Sequence, residues 1–550
     1  MVNKLNLAVL LDSEKILLWQ FRILDKLISS GYADIKLFIV NEGNVTAKES
    51  KKYSLIYRLH EKIDKLIFGR GIDFHKKVEV LKRLKGIEVM KFSNKPLDEN
   101  LWSAVQRSIY NSNPDLLLNF GNSSIPDELL SKFRFGVLTY NISTQIDQIN
   151  APSCYWELVK KMPEIEASIQ LAIVDQKGKT EIFRTGILPY PNSININRNN
   201  IYELASLFIP RIIEGIYKDG NAYIEEMINK NKLVTEFPGY SVFKYPTSIQ
   251  AFLNLVLLNF NFLKKKLQFH KIGRWFLLVK IDDKNDFSPA APGSFNWMKA
   301  PKDKFWADPF VITKDGFHYI FIEEYLYKTG KGHISVLKLN DKGELLSNEM
   351  LIEKPYHMSY PNVFMQGDSY YMVPETGSNN TIELYKCSEF PNKWEFVKNI
   401  MENISAKDTT FFFYNDKWWL FTSIIERNSA TISFNELFLY FSDDLFTSNW
   451  QSHPQNPIVS DQKLSRSAGK IYINENKIYR PSQDCSGIYG RALNINCITK
   501  LSETEYEEVF VSKTEPTWDK KIKGIHTYNF DDKITVMDAF SDRGKVYINN

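Results

Sequence analysis

Acidic side chains return at matching places along the second half of the chain. Some open a strand, as Asp308 does in WADPF and Asp408 in KDTTF. Others close the strand that follows: Glu323 and Glu324 in FIEE, Glu375 in VPET, Asp484 in PSQD and Asp538 in VMDAF. When consecutive strands are antiparallel, the start of the first and the end of the second lie on one side, so these carboxyls are aimed at a common mouth. Glycosyl transfer needs such pairs. One carboxyl protonates a leaving oxygen or activates an acceptor, and another stabilises or attacks the anomeric carbon. Crowded like charges also push carboxyl pKa values apart, which separates acid from base. Position in the repeat gives Asp308, Glu375 and Asp408 as the expected catalytic set.

The same segments carry candidate substrate-binding groups. Tyr360, Arg466 and His526 open strands, Glu324 and Gln483 close them, and Trp306 and Arg480 lie close by. Trp306, Tyr360, Tyr479 and Tyr489 are candidates for stacking on a sugar ring. A local reading competes for each acid: Asp308 and Asp408 could cap turns at the rim, and Glu375 could pair with Arg466 or Arg480.

What must position these residues is a repeat. Polar turns opening at Asp315, Gly367, Asn415, Glu475 and Asp531 each lead into a strand of aromatic and β-branched residues, at spacings of 52, 48, 60 and 56. Further strands flank each turn, for example KVYIN from Lys545 as the third strand of the last unit. Four strands per unit at this period predict a five-bladed β-propeller. The last unit stops after its third strand, and RWFLLVKI from Arg274 is expected to supply the missing one and close the ring. A two-sheet sandwich is the alternative, against which the regular period argues.

The first half alternates strands (LNLAVLL, DIKLFIV, PDLLLNFG, FGVLTYNIS) with helical segments, which predicts a parallel α/β sheet. The whole reads as a multidomain chain: an α/β domain over 1–215, a helical linker over 216–269 and an all-β propeller over 270–550. With 550 residues, 43% hydrophobic and 24% charged, it has an ordinary globular composition. A net charge of +4 without basic-aromatic runs argues against nucleic acid as a partner. Cys154, Cys387, Cys485 and Cys497 have no metal-site spacing, and no Gly-rich phosphate loop follows the first strand, so neither metal nor cofactor is expected. MVNKLNLAVLLDSEK is too short in apolar residues for a signal peptide. AFLNLVLLNFNFL from Ala251 is too short to span a bilayer. A cytoplasmic protein is expected. Lys264, Lys265 and Lys266 after that stretch permit a peripheral contact at the inner face of the membrane, the bland reading being a linker helix packed on the propeller.

Residues 5 to 215 resemble the formyltransferase N-terminal fold, through PDLLLNFGNSSIPDELL, FGVLTYNIS and SCYWELVKKMPEIEASIQL. The resemblance places Thr139 and Asn141 where that family has its catalytic Asn and His, and Arg184-Thr185-Gly186 at its Asp-Gly segment. An asparagine cannot act as the general acid/base that imidazole provides, so this reading gives an inactive relative. The WADPF opening resembles the five-bladed furanosidase-type glycoside hydrolases of families 43, 32 and 68. That likeness implies Asp308 as the opening catalytic Asp, Asp408 as the auxiliary one and Glu375 as the acid. The run HMSYPNVF, YMVPET, LYKCSEFPNKW, DTTFFF, WWLFTS, HPQNP, RSAGK, YRPSQDC is similar to the N-terminal region of plant glucosamine inositolphosphorylceramide transferases and their bacterial relatives. In the plant enzymes a glycosyltransferase domain follows and is not expected here, so the resemblance does not by itself transfer the reaction. It implies a carbohydrate-active enzyme that transfers a glycosyl group from a sugar donor to a carbohydrate or glycolipid acceptor, in surface-polysaccharide or glycolipid biosynthesis. A furanosidase-type hydrolase and a non-catalytic sugar-binding scaffold are the alternatives.

Overall fold

The computed structural model describes residues 4–41, 54–69, 71–84, 86–92, 99–121, 127–142, 152–173, 179–232, 245–267, 274–281, 295–424 and 436–541. The chain divides into two compact units that meet in sequence at residues 264 and 265.

The first unit is built on a seven-stranded sheet in the order Glu88–Phe92, Ala33–Asn41, Leu5–Leu11, Leu116–Asn119, Val137–Ile142, Ile165–Ala172, Lys179–Ile187. Leu5–Leu11 reads as a continuous apolar run because helices cover both faces of a central parallel strand. The first five strands are parallel, as expected. Ile165–Ala172 pairs antiparallel with both of its neighbours, Val137–Ile142 and Lys179–Ile187, which corrects the expectation of a wholly parallel sheet. Residues 173–178 are all that join it to Lys179–Ile187, far short of the dozen or so that a parallel crossover needs. Helix Ile194–Asp219 buries one face on this sheet, and helices Leu55–Phe68 and Ser248–Leu267 lie further out.

The second unit is a five-bladed propeller. Its first blade runs Lys304–Lys314, Phe317–Leu326, Lys331–Leu339, Leu345–Ile352, and three similar sheets follow in chain order. The fifth blade closes the ring. Arg274–Ile281 pairs antiparallel with Ile534–Ser541 along its whole length, from Arg274↔Ser541 to Ile281↔Ile534. It takes the third place in that blade, with Asn296–Met298 outside it, and not the fourth. KVYIN lies outside the described residues. Ile534–Ser541 pairs with Arg274–Ile281 on one edge and with the inner strands on the other.

One local defect recurs on the inner strands. Their register breaks between Ala307 and Phe310, Ser359 and Asn362, and Lys407 and Thr410. Each break holds a non-glycine residue at positive φ: Asp308 at 51°, Tyr360 at 43° and Asp408 at 48°. In the fourth and fifth blades the inner strand is split outright, into Arg466–Ser467 with Tyr472–Asn474 and Ile522–Gly524 with Tyr528–Asp531. Bulges of this kind re-aim side chains, and strained backbone persists only where packing enforces it. Apolar layers between blades supply that packing, such as Leu277, Trp306, Ile320 and Val536 between the fifth and first.

Candidate functional site

The bulges converge on one cavity of about 270 Å³ in the propeller. The residue before each break lines it (Ala307, Ser359 and Lys407), together with Arg466 at the equivalent place in the fourth blade. Each of these faces the end of the second strand in its own blade: Ala307↔Glu323, Ser359↔Glu375, Lys407↔Ser423 and Arg466↔Gln483. Glu323 and Glu375 therefore occupy homologous places, and both line the cavity with Asp308 and Asp408. His357, His526, Trp275, Phe305 and Tyr489 complete the wall.

The expected catalytic acids thus meet, along with Arg466, His526 and the stacking candidate Tyr489. Gln483 sits beneath, donating from Nε2 to Asp408 Oδ2 at 3.3 Å and to the Ser467 carbonyl at 2.8 Å. Four expected binding residues lie elsewhere. Strand alternation turns Glu324 away from Glu323. Glu324 accepts from Trp306 Nε1 (2.8 Å), Asn348 Nδ2 (2.9 Å) and Lys304 Nζ (3.0 Å) and faces His333 Nε2 at 3.2 Å. Burial alone would raise Glu324, but these partners hold its pKa down at about 2. Trp306 is spent in this cluster and does not stack on ligand. Tyr360 is fully buried, its hydroxyl bonded with Thr410 Oγ1 and taking the Gly469 amide proton at 2.7 Å. Arg480, also fully buried, forms a two-pronged pair with Glu508 at 2.7 and 2.8 Å. Tyr479 stacks on Tyr472 in the blade packing.

The site's electrostatics follow from its charge count. Five carboxyls (Asp308, Glu323, Glu375, Asp408, Asp538) gather with three cations (Lys407, Arg466, His526). Lys407 Nζ lies 2.5 Å from Glu375 Oε1, and Arg466 Nε lies 2.6 Å from Asp408 Oδ2. Burial works to raise Glu375, but Lys407 and Arg466 outweigh it and hold this carboxyl below its ordinary range. Lowering of this kind favours the anionic form of Glu375, whereas the resemblance implied it as the acid. Burial raises Asp408 in spite of Arg466.

Glu323 has no close cation of its own. Burial, with Asp308 and Glu375 adding to it, pushes its pKa well above the carboxylate range. The basic group nearest it among the described residues is His357, whose Nε2 is 3.5 Å from Oε1. The Gly332 amide donates to His357 Nδ1 at 2.9 Å, which places the imidazole proton on Nε2, towards Glu323. Gly332 is required here: a Cβ would stand 2.6 Å from Glu323 Oε1.

Asp308 is reached by a chain of contacts. Asp538 accepts from the amides of Asp308, His526 and Thr527 and pairs with His526 Nδ1 at 2.6 Å. His526 Nε2 then lies 3.5 Å from Asp308 Oδ1. Burial opposes charge on His526, but Asp538 and Asp308 outweigh it and raise its pKa. Asp308 also accepts from Thr527 Oγ1 (3.0 Å) and the Tyr360 amide (3.2 Å). Burial is the main cause that lifts it to about 7, with the neighbouring carboxyls adding and His526 opposing. Asp308, His526 and Asp538 bring ligand atoms within 4.8 Å of one another, a spacing that could hold a cation, although their internal bonds already account for the arrangement. Trp275 stacks on His526 with centroids 3.9 Å apart, and Gly490, at φ 63°, leaves room for that stack because a Cβ there would meet Trp275 at 2.8 Å.

The sequence names Glu323 among the strand-end acids, with Glu324 as the binding residue; aligning FIEE with VPET through its first glutamate selects Glu323 instead. Lys407 adjoins Asp408 but reads as a solvated strand start. Trp275 and Phe305 carry no signal until the ring closes.

Residues 294–541 match the family model described as glucosamine inositolphosphorylceramide transferase 1, N-terminal. A glucosamine inositolphosphorylceramide transferase 1 from Oryza sativa subsp. japonica is 35% identical over 213 residues, which are 38% of this chain and 28% of that protein. The one from Arabidopsis thaliana is 29% identical over 239 residues, 42% of this chain and 30% of that protein. The chain thus spans less than a third of the length of these relatives. Among solved structures, a phosphoribosylglycinamide formyltransferase from Coxiella burnetii aligns at 12% identity and TM-score 0.26, over 39% of this chain and 88% of that one. At that score the likeness has no bearing on what the chain does.

Proposed function

We propose that the propeller transfers a glycosyl unit in glycolipid or surface-polysaccharide biosynthesis, with Glu323 as general acid and Asp308 as general base. The observation that carries this reading is the split across one cavity: Glu375 lies 2.5 Å from Lys407 Nζ, while its homologue Glu323 in the preceding blade faces only the His357 imidazole at 3.5 Å, so burial pushes Glu323 up while Lys407 holds Glu375 down. Groups whose surroundings push their pKa values apart are what acid–base chemistry at neutral pH requires. Asp308, at about 7, lies where a base is most effective. Asp538 orients His526, and His526 can pass a proton to or from Asp308. Glu375–Lys407 and Asp408–Arg466 are fixed dipoles around the reacting carbon. Trp275 and Phe305 offer faces for one sugar ring, in a cavity just below the ~300 Å³ at which drug-sized pockets begin.

Both cations on the wall other than imidazoles, Lys407 and Arg466, are engaged by carboxylates. That favours a glycoside donor over a nucleotide sugar, whose diphosphate would need cations of its own. The same groups acting on water would make a glycoside hydrolase, which is the second reading. The family match and the transferases of similar sequence favour transfer to a lipid-linked or carbohydrate acceptor. We assign the α/β unit no formyl transfer, since Thr139 and Asn141 supply no general base. The test is to incubate the purified full chain with labelled glycolipids and simple glycosides and to separate the products. Transferred sugar supports the proposal, free sugar the hydrolase, and no turnover under any condition contradicts both.

A further inference from the structure

Helix Ser248–Leu267 has two apolar sides. One packs inward: Ala251 and Leu258 are buried, and Asn254 Nδ2 donates to the Tyr155 hydroxyl at 2.8 Å. The other carries Ile249, Phe252, Leu253, Val256, Leu257 and Phe260, all open to solvent, with Ile249 74% and Phe260 61% exposed. Their spacing of three and four residues makes a continuous stripe along one helical face. No charged residue interrupts the helix before Lys264, after which Lys265 and Lys266 follow directly. Soluble surfaces rarely leave such a stripe bare.

A second helix of the same unit repeats the feature. Leu55–Phe68 exposes Leu55, Leu59, Leu66 and Ile67, with Lys62 and Lys65 also exposed between them. It too is seated on Tyr155, through Tyr57, whose ring meets Tyr155 edge-on at 5.3 Å. Two helices anchored on one tyrosine thus each present apolar residues beside lysines. Among the described residues no helix is long and apolar enough to cross a membrane.

We propose that these helices dock the α/β unit onto an anionic lipid surface, lying in the interfacial plane with their exposed apolar side chains among the acyl chains. Charge favours lipid over a protein partner. The stripe itself is uncharged and ends in three consecutive lysines, the combination of apolar burial and basic attraction that holds interfacial helices. This inference rests on the helices alone and stands apart from the chemistry of the funnel. It gives the α/β unit the task of holding the chain where lipid-linked sugars are found.

The experiment is co-sedimentation of the full chain with vesicles of phosphatidylcholine alone or mixed with phosphatidylglycerol. Two variants are compared, Leu253→Glu/Phe260→Glu and Lys264→Gln/Lys265→Gln/Lys266→Gln, alongside melting curves and light scattering. The expected result is binding to the mixed vesicles, weakened by high salt and about ten-fold or more by either variant, with melting unchanged. Leu253 and Phe260 are exposed, so charge placed there is expected to leave the fold intact; a glutamate variant that melts early would be replaced by Leu253→Ser/Phe260→Ser. Absence of vesicle binding, binding insensitive to both variants, or a dimer that the glutamate variant converts to monomer without vesicle binding would each overturn the proposal.

Discussion

Partly and fully buried charges are treated differently in the two units. In the α/β unit, Arg184 on an edge strand lies between Glu181 and Glu166, at 2.7 and 2.6 Å, and Arg198 meets Glu61 at 2.9 Å. These pairs tie elements together. In the propeller funnel five carboxyls share three cations in a buried place, and the shortfall is met by protons, on Glu323 and in part on Asp308. A strand-end charge becomes chemistry where its neighbourhood cannot neutralise it. The Arg480–Glu508 pair shows that the rule is local: it lies in the same propeller, is balanced, and holds a blade together.

The largest expected effect tests that difference directly. Asp308→Asn should lower turnover by about 10²- to 10⁴-fold, the usual worth of a positioned acid or base, while the protein stays folded. Full activity with a lowered melting temperature would move Asp308 to the structural side of the comparison. Next, Arg480→Met should cost about 3 kcal/mol of stability by leaving half-buried Glu508 with the Tyr506 hydroxyl and no cation, without changing the rate of the folded fraction. Denaturant unfolding measures it, and a rate loss at unchanged stability would return Arg480 to the site.

A smaller effect concerns pH. The folded-state pKa of Asp308 is raised, so its stabilising contribution is full below the ordinary carboxyl pKa and is lost as pH rises through about 7. Asp308→Asn should therefore melt above the wild type beyond pH 7 and converge with it in acid. A constant gap at all pH values would contradict the raised pKa. The smallest effect is expected in the α/β unit. Asn141→Ala should leave glycosyl turnover unchanged and shift stability by no more than about 0.5 kcal/mol, as half-exposed positions do. A formyl-transfer activity lost in this variant would show a working site there.

Much of the propeller was legible because its signal is periodic and local. Turn, strand and acid recur within each blade, and even the closing strand RWFLLVKI could be named. Asp308 and Asp408 could be placed because the left-handed bulge that aims them sits inside a short motif. What could not be read depends on relations between blades. Tyr360 holds the same backbone place as Asp308, yet its ring turns into the packing because Thr410 and Gly469 of other blades bind its hydroxyl. The ion pair that lowers Glu375 comes from Lys407 of the next blade, a contact no single repeat contains. Trp275 joins the site only through ring closure, from a strand that precedes the first blade. In the α/β unit the central strands were legible from their apolar runs. The antiparallel edge was not, since buried strands of either direction share the same pattern.

The central claim is that the funnel holds Glu323 protonated beside an ionised Glu375. Infrared difference spectroscopy tests it without a substrate, by comparing the wild type with Glu323→Gln and with Glu375→Gln at pH 7. The predicted result is that Glu323→Gln loses one protonated-carboxyl component and keeps the one that Asp308 contributes near its pKa of about 7, while Glu375→Gln loses none. A protonated-carboxyl region unchanged in Glu323→Gln, or a component lost only in Glu375→Gln, would contradict the account.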